Sequence, residues 1–255
     1  MLIDTHTHLY SEQFENDIDE VIARAINNGV KRFYLPAIDK SYTDKMLALE
    51  ANYPNEMFAM MGLHPCSVNP DTITEELSHV KEWIDKRPFK AIGEIGIDLY
   101  WEKEHLQTQQ DAFKTQIEWA KEKNLPIVIH CRDAFNEVFD VLEEVKDEKL
   151  FGIFHCFSGT KEDAQRAIDY NLKLGIGGVV TFKNGKIDQF LQDFDIKHIV
   201  LETDSPYLAP VPFRGKRNES SYLTHVCDKL VDVYHLSAKE IETITTKNAL
   251  DIFER

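Results

Sequence analysis

Two histidines one residue apart, His6 and His8, stand in the opening run Met1-Leu2-Ile3-Asp4-Thr5-His6-Thr7-His8. Read as a strand, the run alternates faces, so Leu2, Asp4, His6 and His8 share one side and both imidazoles point the same way. Rings so placed can converge on one cation, and imidazole suits zinc and other first-row metals. A pair at this spacing is common in ordinary strands. Its weight comes from Glu94, His130, His155 and Asp204, each at the end of an apolar run. Four imidazoles and two carboxylates exceed the ligand count of one tetrahedral zinc, which points to two metal ions a few ångströms apart. Glu94 is the natural bridge, because a carboxylate can give one oxygen to each ion while its charge offsets the repulsion between two dications. It lies between Gly93 and Gly96 in an otherwise apolar stretch, where an unpaired charge would cost several kcal/mol. A cation must therefore meet it.

The elements that position these residues alternate along the chain. Strands are predicted over 1–8, 31–35, 58–61, 90–95, 127–130, 151–155, 173–177 and 199–202, with helices near 15–28, 41–52, 73–86, 105–123, 133–145, 161–170, 186–193, 220–234 and 238–253. About eight strands separated by helices predict an α/β fold, a (β/α)8 TIM barrel in one domain over 1–255, in which the C-terminal strand ends converge on one mouth. His6, His8, His64, Glu94, His130, His155 and Asp204 all fall there. An open doubly wound sheet lacks support, since no GxGxxG follows the first strand. His79, His105, His225 and His235 fall on or beside helices and read as surface residues. Asp133 and Thr160 sit where helix N-caps belong, and Glu202, two residues before Asp204, reads as support for a metal ligand.

At 255 residues, with 43% hydrophobic and 29% charged side chains, the chain has the composition of a globular protein with a sizeable core. Its apolar runs are too short for a membrane span. The immediate entry into the His6/His8 strand leaves no room for a signal peptide and predicts a cytoplasmic address. The cysteines Cys66, Cys131, Cys156 and Cys227 form no CxxC pair and read as free thiols. Cys131 and Cys156 each follow a candidate ligand, so strand alternation predicts that they face away from it. A formal charge of -15 excludes a general electrostatic grip on nucleic acid. A nucleic-acid enzyme with this charge must hold its substrate locally. Arg132, at a strand end, and His64 are candidates to grip a phosphate, though Arg132 also reads as a surface ion pair. Arg214, Lys216 and Arg217 form a small basic cluster past Asp204, either a local hold on a strand end or a solvated loop.

The blocks Asp4-Thr5-His6-Thr7-His8, Gly62-Leu63-His64-Pro65, Gly93-Glu94-Ile95-Gly96-Ile97-Asp98, His130-Cys131-Arg132-Asp133-Ala134, His155-Cys156-Phe157-Ser158-Gly159 and Leu201-Glu202-Thr203-Asp204-Ser205-Pro206-Tyr207 resemble, in order, the signatures of TatD-type metal-dependent deoxyribonucleases. Asn248-Ala249 is a further match, and the resemblance covers essentially the whole chain. It implies a TIM-barrel hydrolase of the amidohydrolase superfamily with exonuclease activity on DNA. It also implies that His6, His8, Glu94 and Asp204 hold one divalent ion, and Glu94, His130 and His155 the other. Two departures stand out: Ser220 follows Arg217-Asn218-Glu219 where proline is frequent, and Cys66 follows Gly62-Leu63-His64-Pro65 where histidine is common.

The expected reaction is 3'-5' removal of nucleotides from DNA, with single-stranded ends as the expected partner. Asp204 and Glu94 are the catalytic residues, Asp204 taking the proton from the attacking water, and His64, Arg132 and Arg217 contact the substrate. The ligand types admit zinc, magnesium or manganese. Two alternatives stay open. Metals polarise a carbonyl as readily as a phosphoryl group, which allows a small amide, a lactone or a D-aminoacyl-tRNA as substrate. The other is a non-catalytic metal-binding scaffold.

Overall fold

A computed structural model of the chain describes residues 1–101 and 103–255. The strands are β1 Leu2–Asp4, β2 Val30–Leu35, β3 Met57–Ala59, β4 Ile92–Asp98, β5 Ile127–Arg132, β6 Gly152–Phe154, β7 Leu172–Ile176 and β8 Ile199–Leu201. Helices α1 Ile18–Asn27, α2 Thr43–Asn52, α3 Ile73–Lys86, α4 Leu106–Lys123, α5 Phe135–Val145 and α6 Lys161–Asp169 fill the first six connections, and α7 Leu223–Tyr234 and α8 Ala238–Phe253 close the chain. Strands pair in parallel in the orders β1-β2-β3 and β4-β5-β6-β7-β8. Parallel bridges Met61 to Ile92 and Thr7 to Ser205 join the two sets, closing a TIM-barrel-type ring.

Closure buries both faces of each strand, which is why 127–129 reads Ile-Val-Ile without alternation. Outward residues such as Phe33, Ile129, Phe154 and Leu174 pack with Val21, Phe113 and Phe139 of the helices. Inward residues Ile3, Tyr34, Val128, Ile153 and Val200 form a second cluster with Ile252 and Phe253 of α8. Phe253 stacks on Tyr34 with ring centroids 3.7 Å apart, so the last helix plugs one end of the barrel. His130, His155 and Glu202 each follow one of these inward apolar residues by two positions, on the same face and nearer the mouth.

Three sequence expectations differ from the fold. The first strand is only Leu2–Asp4, and the chain bends at Thr5 and His6. Alternation breaks there, and Asp4 does not join the histidines: its carboxylate accepts from Thr203 N at 2.9 Å and Thr203 Oγ1 at 2.6 Å. The helix expected over 186–193 is replaced by 3-10 turns Ile187–Gln189 and Leu191–Asp193, followed by Ile196–His198. Lys186 enters it left-handed at φ +59°, and so short a segment does not repay a helix nucleus. Asp133 is left-handed at φ +55° and α5 begins only at Phe135, so Asp133 caps nothing. Thr160 does cap α6, in a reciprocal box with Asp163. Among the described residues no helix is long and apolar enough to cross a membrane.

β4 carries one residue more than β5 between Ile92 and Ile95, a bulge that re-aims the side chain it contains, Glu94. Just beyond it Gly96 adopts φ +145°, and a Cβ there would stand 2.0 Å from His130 O. Gly96→Ala is therefore expected to lower stability by roughly 2–4 kcal/mol in urea unfolding. Gly29→Ala, at φ +92° with open space around it, bears only the backbone strain of about 1–2 kcal/mol. Equal losses at the two positions would contradict the close-approach account.

Candidate metal centre

Glu94 projects from β4 into the mouth and is 2% exposed. Its Oε2 lies 3.1 Å from His6 Nε2 and 3.5 Å from His8 Nε2, both from the segment after β1. Its Oε1 lies 2.7 Å from His130 Nδ1, 3.3 Å from His64 Nε2 and 3.5 Å from His155 Nε2. Asp204, just past β8, sets Oδ1 at 3.8 Å from His6 Nε2 and 3.6 Å from His8 Nε2. The other five residues read as metal ligands in the sequence, together with His64, therefore gather around the Glu94 carboxylate, Asp204 through His6 and His8. Four groupings close enough to hold an ion emerge among the described residues: His6 with His8 and Asp204, Glu94 with His64 and His130, His6 with His155 and Glu202, and His155 with Cys156 and Asp204.

The far nitrogen of each ring decides what the near one offers. Tyr10 spends its hydroxyl proton on Pro36 O, so it can only accept from His8 Nδ1, 2.8 Å away. That leaves the His8 Nε2 lone pair facing Glu94 and Asp204. Asp98 Oδ2 lies 2.9 Å from His130 Nε2, which leaves the Nδ1 lone pair facing Glu94. Glu202 Oε1 lies 2.9 Å from His155 Nδ1, off the line of an ideal hydrogen bond, and assigns the same order to that ring. His64 is the reverse. Its Nδ1 accepts from Cys66 N at 3.0 Å, so the neutral ring carries its proton on Nε2. Three rings thus offer lone pairs suited to a metal, and His64 offers a donor suited to an anion. Tyr10 was not legible as a participant in the sequence, and Asp98 was read only as part of a motif. Their signal is an acidic or phenolic group two residues from a candidate ligand, or four from Glu94.

Burial opposes the charge on Glu94, but His64, His6 and His155 around it hold its carboxyl well below the usual range. Burial also opposes a charged His155, yet Glu202 and Glu94 push it up to about 10. His6, buried and stacked on His155 at 3.5 Å between centroids, is held well below its ordinary value. Burial raises Asp204 to about 6 against the pull of His155 and His8. Asp98, despite burial, is held at about 2 by His130 and by the Trp101 N–H. Among the described residues, no Lys or Arg forms an ion pair with Glu94, Asp98, Glu202 or Asp204. Positive charge at this center must come from protons or metal ions, and His6 Nδ1 is buried without a partner. The donor set fits divalent cations.

The remaining expectations divide. Glu202 supports His155 as expected, and its carboxylate fits only because Gly175 has no side chain: a Cβ there would stand 2.3 Å from Glu202 Oε2. Cys156 does not face away. It follows the end of β6 at φ +44°, which cancels strand alternation, and its sulfur joins a grouping with His155 and Asp204. Burial and the nearby carboxylates raise its thiol well above the ordinary value. Arg132 lies 3.8 Å over the Tyr100 ring and makes no ion pair among the described residues. Arg217 does not join the site: its guanidinium is bidentate on Asp17 at 2.8 and 2.6 Å, leaving no fork for a substrate. Arg214 and Lys216 lie over Phe182 and Phe213, so the basic cluster does not converge.

The family described as TatD related DNase matches residues 3–254. The uncharacterized metal-dependent hydrolase YabD of Bacillus subtilis (strain 168) is 39% identical over 254 residues, covering 99% of each chain. The 3'-5' ssDNA/RNA exonuclease TatD of Salmonella typhimurium is 30% identical over 259 residues, again covering 99% of each. The crystal structure of YJJV, a TatD homologue from Escherichia coli, gives a TM-score of 0.92 at 28% identity, covering 100% of this chain and 98% of that one. The chain belongs to the TatD-related DNase family and is a metal-dependent hydrolase.

Proposed function

We propose that this hydrolase is a 3'-5' exonuclease that removes nucleotides from single-stranded DNA ends at a centre of two divalent ions, in one domain over 1–255. The division of Glu94 carries the reading: one carboxylate oxygen faces His6 and His8, the other His64, His130 and His155. His6, His8, Asp204 and Glu94 Oε2 would hold one ion; Glu94 Oε1, His130 and His155 the other. Bound there, divalent cations would supply charge neutralisation and polarisation of a phosphodiester. The name of the Salmonella relative supports single strands and the direction.

The chain's own groups do the rest. Asp204, whose Oδ1 faces His6 and His8, would accept the proton of the attacking water, and dications bound beside it would keep its carboxylate ionised for that role. His64 turns its Nε2–H toward the site, and Arg132 has a planar fork of donors that makes no ion pair among the described residues; both would meet phosphate oxygens. Tyr10, Asp98 and Glu202 hold the rings of His8, His130 and His155 in the orientations these tasks need.

Chelated protein re-supplied with magnesium, manganese or zinc is expected to release nucleotides one at a time from the 3' end of an end-labelled single-stranded oligonucleotide, and Glu94→Ala is expected to release none. Metal binding without any cleavage would move the search to carbonyl substrates. Glu202→Ala should weaken metal affinity roughly 10- to 100-fold through the freed His155 ring, read by competition with a chelating dye. Loading also carries a pH signature. His155, at about 10, must give up its proton to serve as a ligand, so loading at pH 8 should release about one proton per chain. As pH falls through about 6, Asp204 takes up a proton and affinity should drop further. Calorimetric titrations in buffers of different ionisation enthalpy measure both; loading without proton release would contradict the assignment.

A further inference from the structure

Beside the centre the chain turns flat aromatic surface to solvent. Trp101 is 69% exposed and Tyr100 49%, with ring centroids 4.7 Å apart. Their position is fixed from the backbone, since Tyr100 N and Trp101 N donate to Asp98 Oδ1 at 2.9 and 2.8 Å. The other oxygen of Asp98 meets His130 Nε2 at 2.9 Å, and His130 Nδ1 lies 2.7 Å from Glu94. Two side chains, Asp98 and His130, link the aromatic pair to the Glu94 carboxylate. Arg132, two residues beyond His130 on β5, lies 3.8 Å over Tyr100 and 5.5 Å from the Trp101 ring centre.

We propose that Trp101, flanked by Tyr100 and Arg132, is a stacking subsite for an unpaired nucleobase of the strand whose terminal phosphodiester is cut; this rests on the nuclease reading. Arg132 covers Tyr100, which leaves the indole as the open platform. Its guanidinium keeps donors for the phosphate of the same nucleotide, so one cluster meets both the flat and the charged part of the ligand. The net charge of -15 denies the protein long-range attraction for a polyanion, so affinity has to come from short-range contacts such as stacking, which every base supports. A base inside a duplex has both faces covered by its neighbours. Only a frayed or single-stranded end can present a face to Trp101, and the subsite therefore selects such ends without reading sequence.

The test uses an oligonucleotide with 2-aminopurine at its 3' end, whose fluorescence is quenched on stacking, added to chelated full-length protein so that nothing is cut. Quenching is expected with the parent chain and with Glu94→Ala, lost in Trp101→Ala and restored in Trp101→Phe. With metal present, Trp101→Ala should raise KM about tenfold and leave kcat within about twofold. An abasic 3' end should weaken the parent chain to the same degree and Trp101→Ala no further. Quenching and KM unchanged in Trp101→Ala would overturn the subsite, as would an equal loss on abasic ends. Trp101-dependent quenching without cleavage would retain the subsite and remove the exonuclease reading, while cleavage without quenching does the opposite.

Discussion

A carboxylate taken out of water must be met by positive charge, and Glu94, with no Lys or Arg paired to it among the described residues, is met by imidazoles. The barrel is what makes this possible. Side chains from the ends of β1, β3, β5 and β6 reach a β4 residue together only if the strands close into a ring with their C-terminal ends on one side. The bulge between Ile92 and Ile95 turns Glu94 inward, and Gly96 lets the backbone of β5 approach closely enough for His130 to reach it. The apolar half of the barrel, closed by Phe253 against Tyr34, supplies burial that offsets the cost of so much charge at the mouth.

Imidazole is a suitable counterweight because its charge is conditional. A ring can carry a proton when the site is empty of cations and give it up to a metal, provided its other nitrogen keeps a fixed partner. Tyr10, Asp98 and Glu202 are those partners, and each belongs to a different strand end. His64 differs only in that its far nitrogen meets a donor, the Cys66 N–H. One hydrogen bond of opposite sense thus separates a ring that can ligate from one that can only donate. Position along the chain does not carry this distinction, since all of these histidines follow apolar strands alike.

What the sequence made legible follows from the same physics. Polar residues at the ends of apolar strands are conspicuous because burial forbids them unless they have work to do, so Glu94, His130, His155 and Asp204 could be read with the fold. Readings that failed relied on regular strand geometry beyond the point where strands end. The bend at Thr5 and His6 freed Asp4 from the face of the histidines, and the left-handed Cys156 brought its sulfur toward them. Arg217 failed for another reason: its charge is spent on Asp17, 200 positions earlier in the sequence yet adjacent in space, a pairing that composition cannot show.

The role left to Arg217 is to anchor the loop that follows Asp204. That loop leaves the barrel at Ser205 and must return to α7 without disturbing the metal ligand at its root. Asn218 Nδ2 donates to Thr203 O at 2.8 Å and to Tyr207 O at 2.7 Å, tying the end of the loop to its beginning. Arg217 to Asp17, and Arg24 to Glu219 at 2.7 Å, clamp the same stretch to α1 and the turn before it. Ser220 completes the closure. Its hydroxyl donates to Thr7 Oγ1 at 3.3 Å, beside the buried Asp4, whose carboxyl burial raises to about 7 against the pull of Ser220, Thr203 and the His6 N–H. Thr7 lies between His6 and His8, and Asp4 also receives the His6 N–H at 3.4 Å. A proline at 220 would have no hydroxyl to give, so this chain's departure from the expected residue couples the loop to the very segment that carries the first two histidines.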